Sequence, residues 1–234
     1  MNTLNHLKSA LPSIEKQLGV RFTEPKHLLL AFIHPSYVNE SEVTENNQRL
    51  EFLGDAVLGL IAADYLYSHF PDLPEGEMSS LRSALVDAKA CASYVAKLKI
   101  APYMLTSQGE KMHAGRGKAS LMADLFESLI GALYLDGGLE KARSFFFAHF
   151  ADEIQAMIAN PPRNYKAELQ DYAQKNFGNP PEYLTVKEEG PDHARIFCVK
   201  VSAGKIEGVG SGPSKKIAQQ QAAQSAMEAL DGKD

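Results

Sequence analysis

The stretch NQRLEFLGDAVLGL, Asn47–Leu60, reads as a helix built for a dry interior that nevertheless carries two carboxylates. At about 100° per residue, Leu50, Leu53, Val57, Leu60 and Ile61 form one apolar stripe. Phe52, Ala56 and Leu58 carry apolar character around most of the remaining circumference, the pattern of a helix packed among other helices. Gln48, Glu51 and Asp55 share the polar face. Glu51 and Asp55 are i and i+4, so their like charges destabilise an isolated helix and call for a counter-charge.

A second segment repeats the anomaly. Between Leu121 and Leu135, LMADLFESLIGALYL, the charged residues are Asp124 and Glu127, spaced i and i+3 on one face. The plain reading of such pairs is a solvated strip, since Asp and Glu are almost never buried unpaired. Here the neighbours leave little solvated surface, and no Lys or Arg within the segment balances the acids. A cation from outside the chain is the natural counter-charge. Carboxylate ligation without His or Cys suits a hard ion, Mg²⁺ with Mn²⁺ as a substitute, rather than zinc. Spacing does not show whether the two pairs converge.

Working outward, 234 residues allow one large domain or two modest ones. ANPPRNY, Ala159–Tyr165, interrupts helical patterning and places a linker at 157–163, between domains at 1–156 and 164–234. Upstream, helical periodicity runs through TEPKHLLLAFI, the Asn47 segment, GEMSSLRSALVDAKACASYVAKL, ASLMADLFESLIGALYLD and LEKARSFFFAHFADEIQAMI, so the first domain is mainly α. Downstream the order is αβββα, a small α+β domain with strands in PEYLTVKEE, ARIFCVKVS and KIEGVGS. No run approaches the ~20 apolar residues of a membrane span, and the N-terminal residues lack signal-peptide order. A cytoplasmic protein is expected. Cys91 and Cys198 fall in separate domains and suggest free structural thiols rather than a disulfide or zinc site.

The net charge of −5 argues against a nucleic-acid partner overall, because phosphate neutralisation needs Lys and Arg. Local patches tell otherwise. In GVGSGPSKKIAQQQAA, glycines lead into Ser214, a candidate N-cap, followed by Lys215 and Lys216. Two lysines at a helix N-terminus oppose the macrodipole. They become favourable if they and the free N–H groups face phosphate.

RLEFLGDAVL together with ASLMADLFESLIGALYLDGG resembles the ribonuclease III catalytic domain, and AFIHPSYVNE and FPDLPEGEMSSLRSALV are similar to further family segments. The C-terminal segment resembles the double-stranded RNA-binding domain in its αβββα order and its SGPSKK helix start. The first resemblance implies that Glu51, Asp124 and Glu127 bind Mg²⁺ and that Asp55 completes the site beside the attacking water, with Asp55 and Glu127 catalytic. The second implies minor-groove contacts from Gln170 and Gln174, a loop contact at His193, and Lys215 and Lys216 on phosphates beyond Ser214. Such a module reads A-form shape and 2′-hydroxyls rather than sequence. Together they imply hydrolysis of double-stranded RNA to 5′-phosphate and 3′-hydroxyl ends with short 3′ overhangs, in processing of ribosomal precursors and other structured RNAs. They also imply a homodimer with one acidic site per strand, no small-molecule cofactor and no membrane.

The chain departs from the family at Gln48, where a second Glu is usual, and at Ala167 and Gln219 in the RNA-binding segment. From Asn164 to Asp234, nine Lys or Arg stand against ten Asp or Glu, a net of −1 that makes the basic footprint local. Glu75 reads either as an acid shaping the site or as a solvated loop acid. His34 reads as a general base or as a helix-end histidine with local hydrogen bonds. Arg116 and Lys118 belong to a flexible loop or meet phosphate at the start of the acidic helix. Three functions compete: a Mg²⁺-dependent endoribonuclease, a catalytically inactive double-stranded RNA-binding protein on the same fold, and a helical scaffold. The intact acids favour the first. Part of the apolar excess around LEFLGDAVLGLIAADYL is then expected at a dimer interface.

Overall fold

The computed structural model describes residues 3–109, 118–160, 163–191 and 195–231. The chain divides into two compact units, Met1–Pro162 and Arg163–Asp234. The first is helical: α1 (Leu4–Leu18), α2 (Pro25–Ala31), α3 (Pro35–Val38), α4 (Gln48–His69), α5 (Glu75–Val86), α6 (Ala88–Leu98), a 3₁₀ turn (Ala101–Tyr103) and α7 (Lys118–Ala159). Helix α7 ends inside the stretch read as linker. No helix among the described residues is long and apolar enough to cross a membrane.

Local chemistry sets most boundaries. Thr3 caps α1 by accepting from the His6 N–H, and Gly19 ends it at φ 65°, a left-handed conformation natural to glycine. Helix α1 is absent from the periodic segments identified in the sequence, yet it buries Leu7, Leu11, Ile14 and Leu18 at helical spacing. The segment read as continuous over 76–98 is two helices. Asp87 separates them, in extended backbone, and its carboxylate accepts from the Ala90 N–H at 2.8 Å to start α6.

Helix α7 is broken at Gly137–Gly138, where Gly138 adopts φ 74°. Asp136 holds the break. Its buried carboxylate accepts from the N–H groups of Thr23 at 3.1 Å and Glu24 at 2.8 Å and pairs with Lys141. Burial alone would raise its proton affinity, but these donors outweigh burial and hold the carboxyl below the usual range. Before the break, Phe126 joins Tyr94 and Phe150 in the core at centroid distances of 4.3–5.5 Å.

Helices α4 and α7 meet backbone to backbone. A Cβ on Gly54 would lie 1.7 Å from the Glu127 carbonyl oxygen, and one on Gly131 would lie 2.3 Å from that of Leu50. Only glycine permits this approach. Leu50, Val57, Leu58 and Ile61 of α4 are buried, but Leu60, expected on the same core stripe, is 53% exposed, with Phe52 at 81% and Tyr67 at 76%. One side of α4 is therefore an uncovered apolar stripe, bordered by a groove against α5 in which Leu60, Ala63, Leu66, Tyr67 and Met78 are joined by Asp64, Glu75, Ser79 and Arg82.

The second unit is α8 (Tyr165–Phe177), an antiparallel sheet in order β1 (Glu182–Glu189), β2 (Ile196–Ala203), β3 (Ile206–Gly212), and α9 (Lys215–Asp231). Its core joins Leu169 and Ala173 of α8, Val199 and Val201 of β2, and Ala218, Ala222 and Ala226 of α9. Gly208, Gly210 and Gly212 face inward from β3, where added Cβ atoms would fall 2.2–2.6 Å from α9 atoms. The glycines before Ser214 thus belong to the strand expected in KIEGVGS, pressed against the alanine face of α9. Both cysteines are free.

Candidate metal centre and nucleic-acid interface

Each acidic pair lies on one of the two helices that touch at Gly54 and Gly131, and the crossing brings the pairs together. Carboxylate oxygens of Glu51, Asp124 and Glu127 all lie within 4.8 Å of one another. Asp55, one turn beyond Glu51, is exposed and outside this triad, yet close enough that its charge acts on both Glu51 and Glu127. No Lys or Arg forms an ion pair with these four carboxylates among the described residues.

The electrostatics follow. Burial, then the charges of Asp55, Asp124 and Glu51, push the Glu127 carboxyl up to about 7. Burial, then Asp124 and Asp55, raise Glu51. Burial also raises Asp124, partly countered by His34. Half-buried carboxylates crowded together with no Lys or Arg ion-paired to them among the described residues form a donor set that fits a hard divalent ion, which would relieve the repulsion.

This gives a pH dependence with a definite sign. An ordinary glutamate ionises near 4.5. With its proton held more tightly in the fold, Glu127 contributes stability that is complete below that range and is lost as pH rises through about 7. After solvent screening the loss is about 1–2 kcal/mol. Melting in EDTA is therefore expected to show a drop between pH 5 and 7.5 that Glu127→Gln flattens and that Mg²⁺ reverses at the higher pH. An equal drop in Glu127→Gln would assign the effect elsewhere.

His34 caps α3, its Nδ1 accepting from the Ser36 N–H at 3.1 Å, so the helix-end reading describes its bonding, while its charge still reaches Asp124. Gln48 begins α4 and is exposed. Glu75 begins α5, exposed, and accepts from Ser79 Oγ at 3.0 Å, so it is a helix acid rather than a loop acid. Lys118 is exposed at the first residue of α7. Arg116 and His193 lie outside the described residues.

In the second unit, Gln170 and Gln174 are exposed one turn apart on α8. Ser214 Oγ accepts from the Ile217 N–H at 3.3 Å, capping α9, and Lys215 and Lys216 stand exposed in its first turn. Lys215 is not idle: its Nζ is 3.0 Å from Glu188 and 5.5 Å from the Phe197 ring centre. A phosphate there must displace an internal counter-charge. The glycines at 54 and 131, which let the two acid-bearing helices touch, are not flagged by a helical wheel; their signal is a glycine inside an otherwise apolar helix.

Comparison with known proteins agrees with this geometry. A Ribonuclease-III-like family model matches residues 24–154, and a double-stranded RNA binding motif matches 165–230. Ribonuclease 3 of Protochlamydia amoebophila is 49% identical over 229 residues, 97% of this chain and 95% of that protein. Ribonuclease 3 of Leptospira interrogans is 44% identical over 92% of this chain and 88% of its own. Among solved structures, the nuclease domain of ribonuclease III from Campylobacter jejuni, which has a region involved in dimer formation, superposes with TM-score 0.56 at 34% identity, covering 61% of this chain and 96% of that one. Two family models end to end and near-complete alignment with named relatives leave one conclusion: the chain belongs to the ribonuclease III family, endoribonucleases that act on double-stranded RNA.

Proposed function

We propose that the chain hydrolyses duplex RNA with Mg²⁺ held by Glu51, Asp124 and Glu127, Mn²⁺ serving as a substitute. The observation that carries this is the convergence of those carboxylates from two helices, with no Lys or Arg ion-paired to them among the described residues. When bound, the cation supplies Lewis-acid charge to the phosphoryl and departing oxygens. Asp55, exposed at the rim, orients the attacking water and takes its proton. The water oxygen bonds to phosphorus as the P–O3′ bond breaks, and the departing 3′ oxygen takes a proton from solvent, leaving a 5′-phosphate on one fragment and a 3′-hydroxyl on the other. Ribosomal RNA precursors and other structured RNAs of the cytoplasm are the substrates this shape-reading chemistry suits. The test is a long duplex incubated with EDTA, Mg²⁺ or Mn²⁺, followed by end analysis. Undiminished cutting in EDTA, or 2′,3′-cyclic phosphate ends, would refute the proposal.

Duplex binding is assigned to the second unit through Gln170 and Gln174 in a minor groove, His193 from its loop, and Lys215 and Lys216 with the α9 N-terminus on phosphate. Replacing both lysines by alanine is expected to weaken binding to every duplex alike and to reduce the salt slope by about 1–2, as lost phosphate contacts require. A changed sequence preference at an unchanged slope would contradict this.

A homodimer places one site on each strand, matching the pseudo-two-fold symmetry of the helix, and yields short 3′ overhangs when the cuts are offset. The exposed stripe of Phe52, Leu60 and Tyr67 supports a second copy as its cover, as does dimer formation by the Campylobacter jejuni relative. Phe52→Asp is expected to sediment as a monomer and to lose coupled double-strand cutting. A dimer with wild-type activity would move the interface elsewhere.

A further inference from the structure

We propose that Asn47 and Ser128 are positioning residues that tie Glu51 to Glu127 and thereby set the affinity of the acidic cluster for its cation; the inference rests on the cation-binding reading above. Among the described residues the buried polar side chains are Asn47, Thr106 and Ser128, and two of these three meet beside the cluster. Both Asn47 and Ser128 are 0% exposed. Burying such groups is unfavourable unless hydrogen bonds compensate, so their partners are informative.

The Asn47 carbonyl oxygen accepts from two donors. One is the N–H of Glu51 at 2.9 Å, and the other is Ser128 Oγ at 3.3 Å. A single oxygen therefore joins the backbone of one proposed ligand to the residue adjoining another. Asn47 is itself anchored to a third segment, its N–H donating to the Ile33 carbonyl at 2.9 Å and its Nδ2 to the Ala31 carbonyl at 3.2 Å. Asn47 Oδ1 has no partner, so the residue is not fully compensated as a stabilising element. An apolar side chain would avoid that penalty but would lose the Nδ2 anchor.

The tie does something that the glycine contact cannot. Gly54 and Gly131 let α4 and α7 approach, but a close steric contact resists separation of the backbones poorly and does little to stop one helix sliding along the other. A directional hydrogen bond resists both. The three carboxylates repel one another until a cation arrives, and Mg²⁺ tolerates little departure from ligand distances of about 2.0–2.1 Å. A site of this kind must hold its geometry to about 0.5 Å. Loosening the Asn47–Ser128 tie lets repulsion widen the triad, and cation affinity falls.

The experiment measures Mn²⁺ binding to the full-length protein without RNA, by electron paramagnetic resonance, well below each variant's melting temperature. Ser128→Ala, which removes the donor of the tie and little volume, is expected to weaken binding about tenfold, and Asn47→Ala, which keeps the carbonyl but removes its Nδ2 anchor to Ala31, several-fold. The Mg²⁺ concentration for half-maximal cleavage should rise in parallel, with lost cleavage returning as Mg²⁺ is increased, while duplex affinity in EDTA stays unchanged. A purely structural role would lower the melting temperature and leave Mn²⁺ affinity at the wild-type value, which would overturn the inference. If Asn47→Ala fails to fold, Ser128→Ala alone decides. Failure of the cation reading looks different: Glu127→Gln would then bind Mn²⁺ as tightly as the wild type.

Discussion

Glu127→Gln is expected to bind duplex RNA as tightly as the wild type and to cleave it about a thousandfold or more slowly. The substitution keeps the shape of the side chain and removes one charge from a triad whose oxygens lie within 4.8 Å. Losing one proposed carboxylate ligand should cost several kcal/mol of transition-state charge stabilisation, and each 1.36 kcal/mol is a factor of ten in rate. Binding should survive because the proposed phosphate contacts, Lys215 and Lys216, belong to the other compact unit. The fold should survive as well. Glu127 is destabilising when ionised in the metal-free protein, since burial and three neighbouring acids oppose its charge, so the neutral glutamine should melt slightly higher in EDTA at pH 7.5. Gel-shift binding, single-turnover cleavage and melting on one preparation check all three. Mg²⁺-dependent cutting within about tenfold of wild type would remove Glu127 from the site. A mixed dimer with one Glu127→Gln subunit sharpens the test, because it should nick one strand and spare the other.

Gly54→Ala should be the most damaging single-methyl change in the nuclease unit. The added carbon would sit 1.7 Å from the Glu127 carbonyl oxygen, 2.6 Å from its carbon and 2.9 Å from the Gly131 nitrogen. All three are backbone atoms in helices, with no flexible side-chain end that could swing aside. The helices must separate, giving up packing along the crossing that positions the triad. Overpacking typically costs about 1–3 kcal/mol, and a clash this deep against backbone belongs at or above the upper end. Activity should fall further than stability, because the carbonyl struck belongs to Glu127 itself. Gly76→Ala is the control. It lies in the first turn of α5 with nothing within 4 Å of its added carbon, and should be neutral or stabilise by up to about 1 kcal/mol through helix propensity. Chemical denaturation with cleavage assays separates the two, and a Gly54→Ala protein within about 0.5 kcal/mol of wild type would refute the backbone contact.

The sequence by itself determined the class of each half and the chemistry each carries. Period-3.6 apolar runs give the helices, short alternating runs give the αβββα module, and Glu51 with Asp55 and Asp124 with Glu127 show as charges that their own helices cannot balance. Ser214 before two lysines likewise marks a helix start, and Ser214 caps it. These are local facts, fixed by spacing along one element. Tertiary structure decided what spacing does not encode, the distances between elements. Glu51 meets Asp124 and Glu127 because Gly54 and Gly131 let two backbones touch, yet on a helical wheel a glycine registers only as a weak helix former. Gly208 and Gly210 were legible as part of a strand, but their place on its inner face, pressed against α9, was not. Leu60 and Phe52 read as part of a helix packed among others, with an interface expected to take some of that apolar excess, and both lie exposed, since the wheel reports that a side is apolar and not what covers it. Side-chain volume at a crossing sets how near two helices come, and that volume is contributed by residues far apart in the chain.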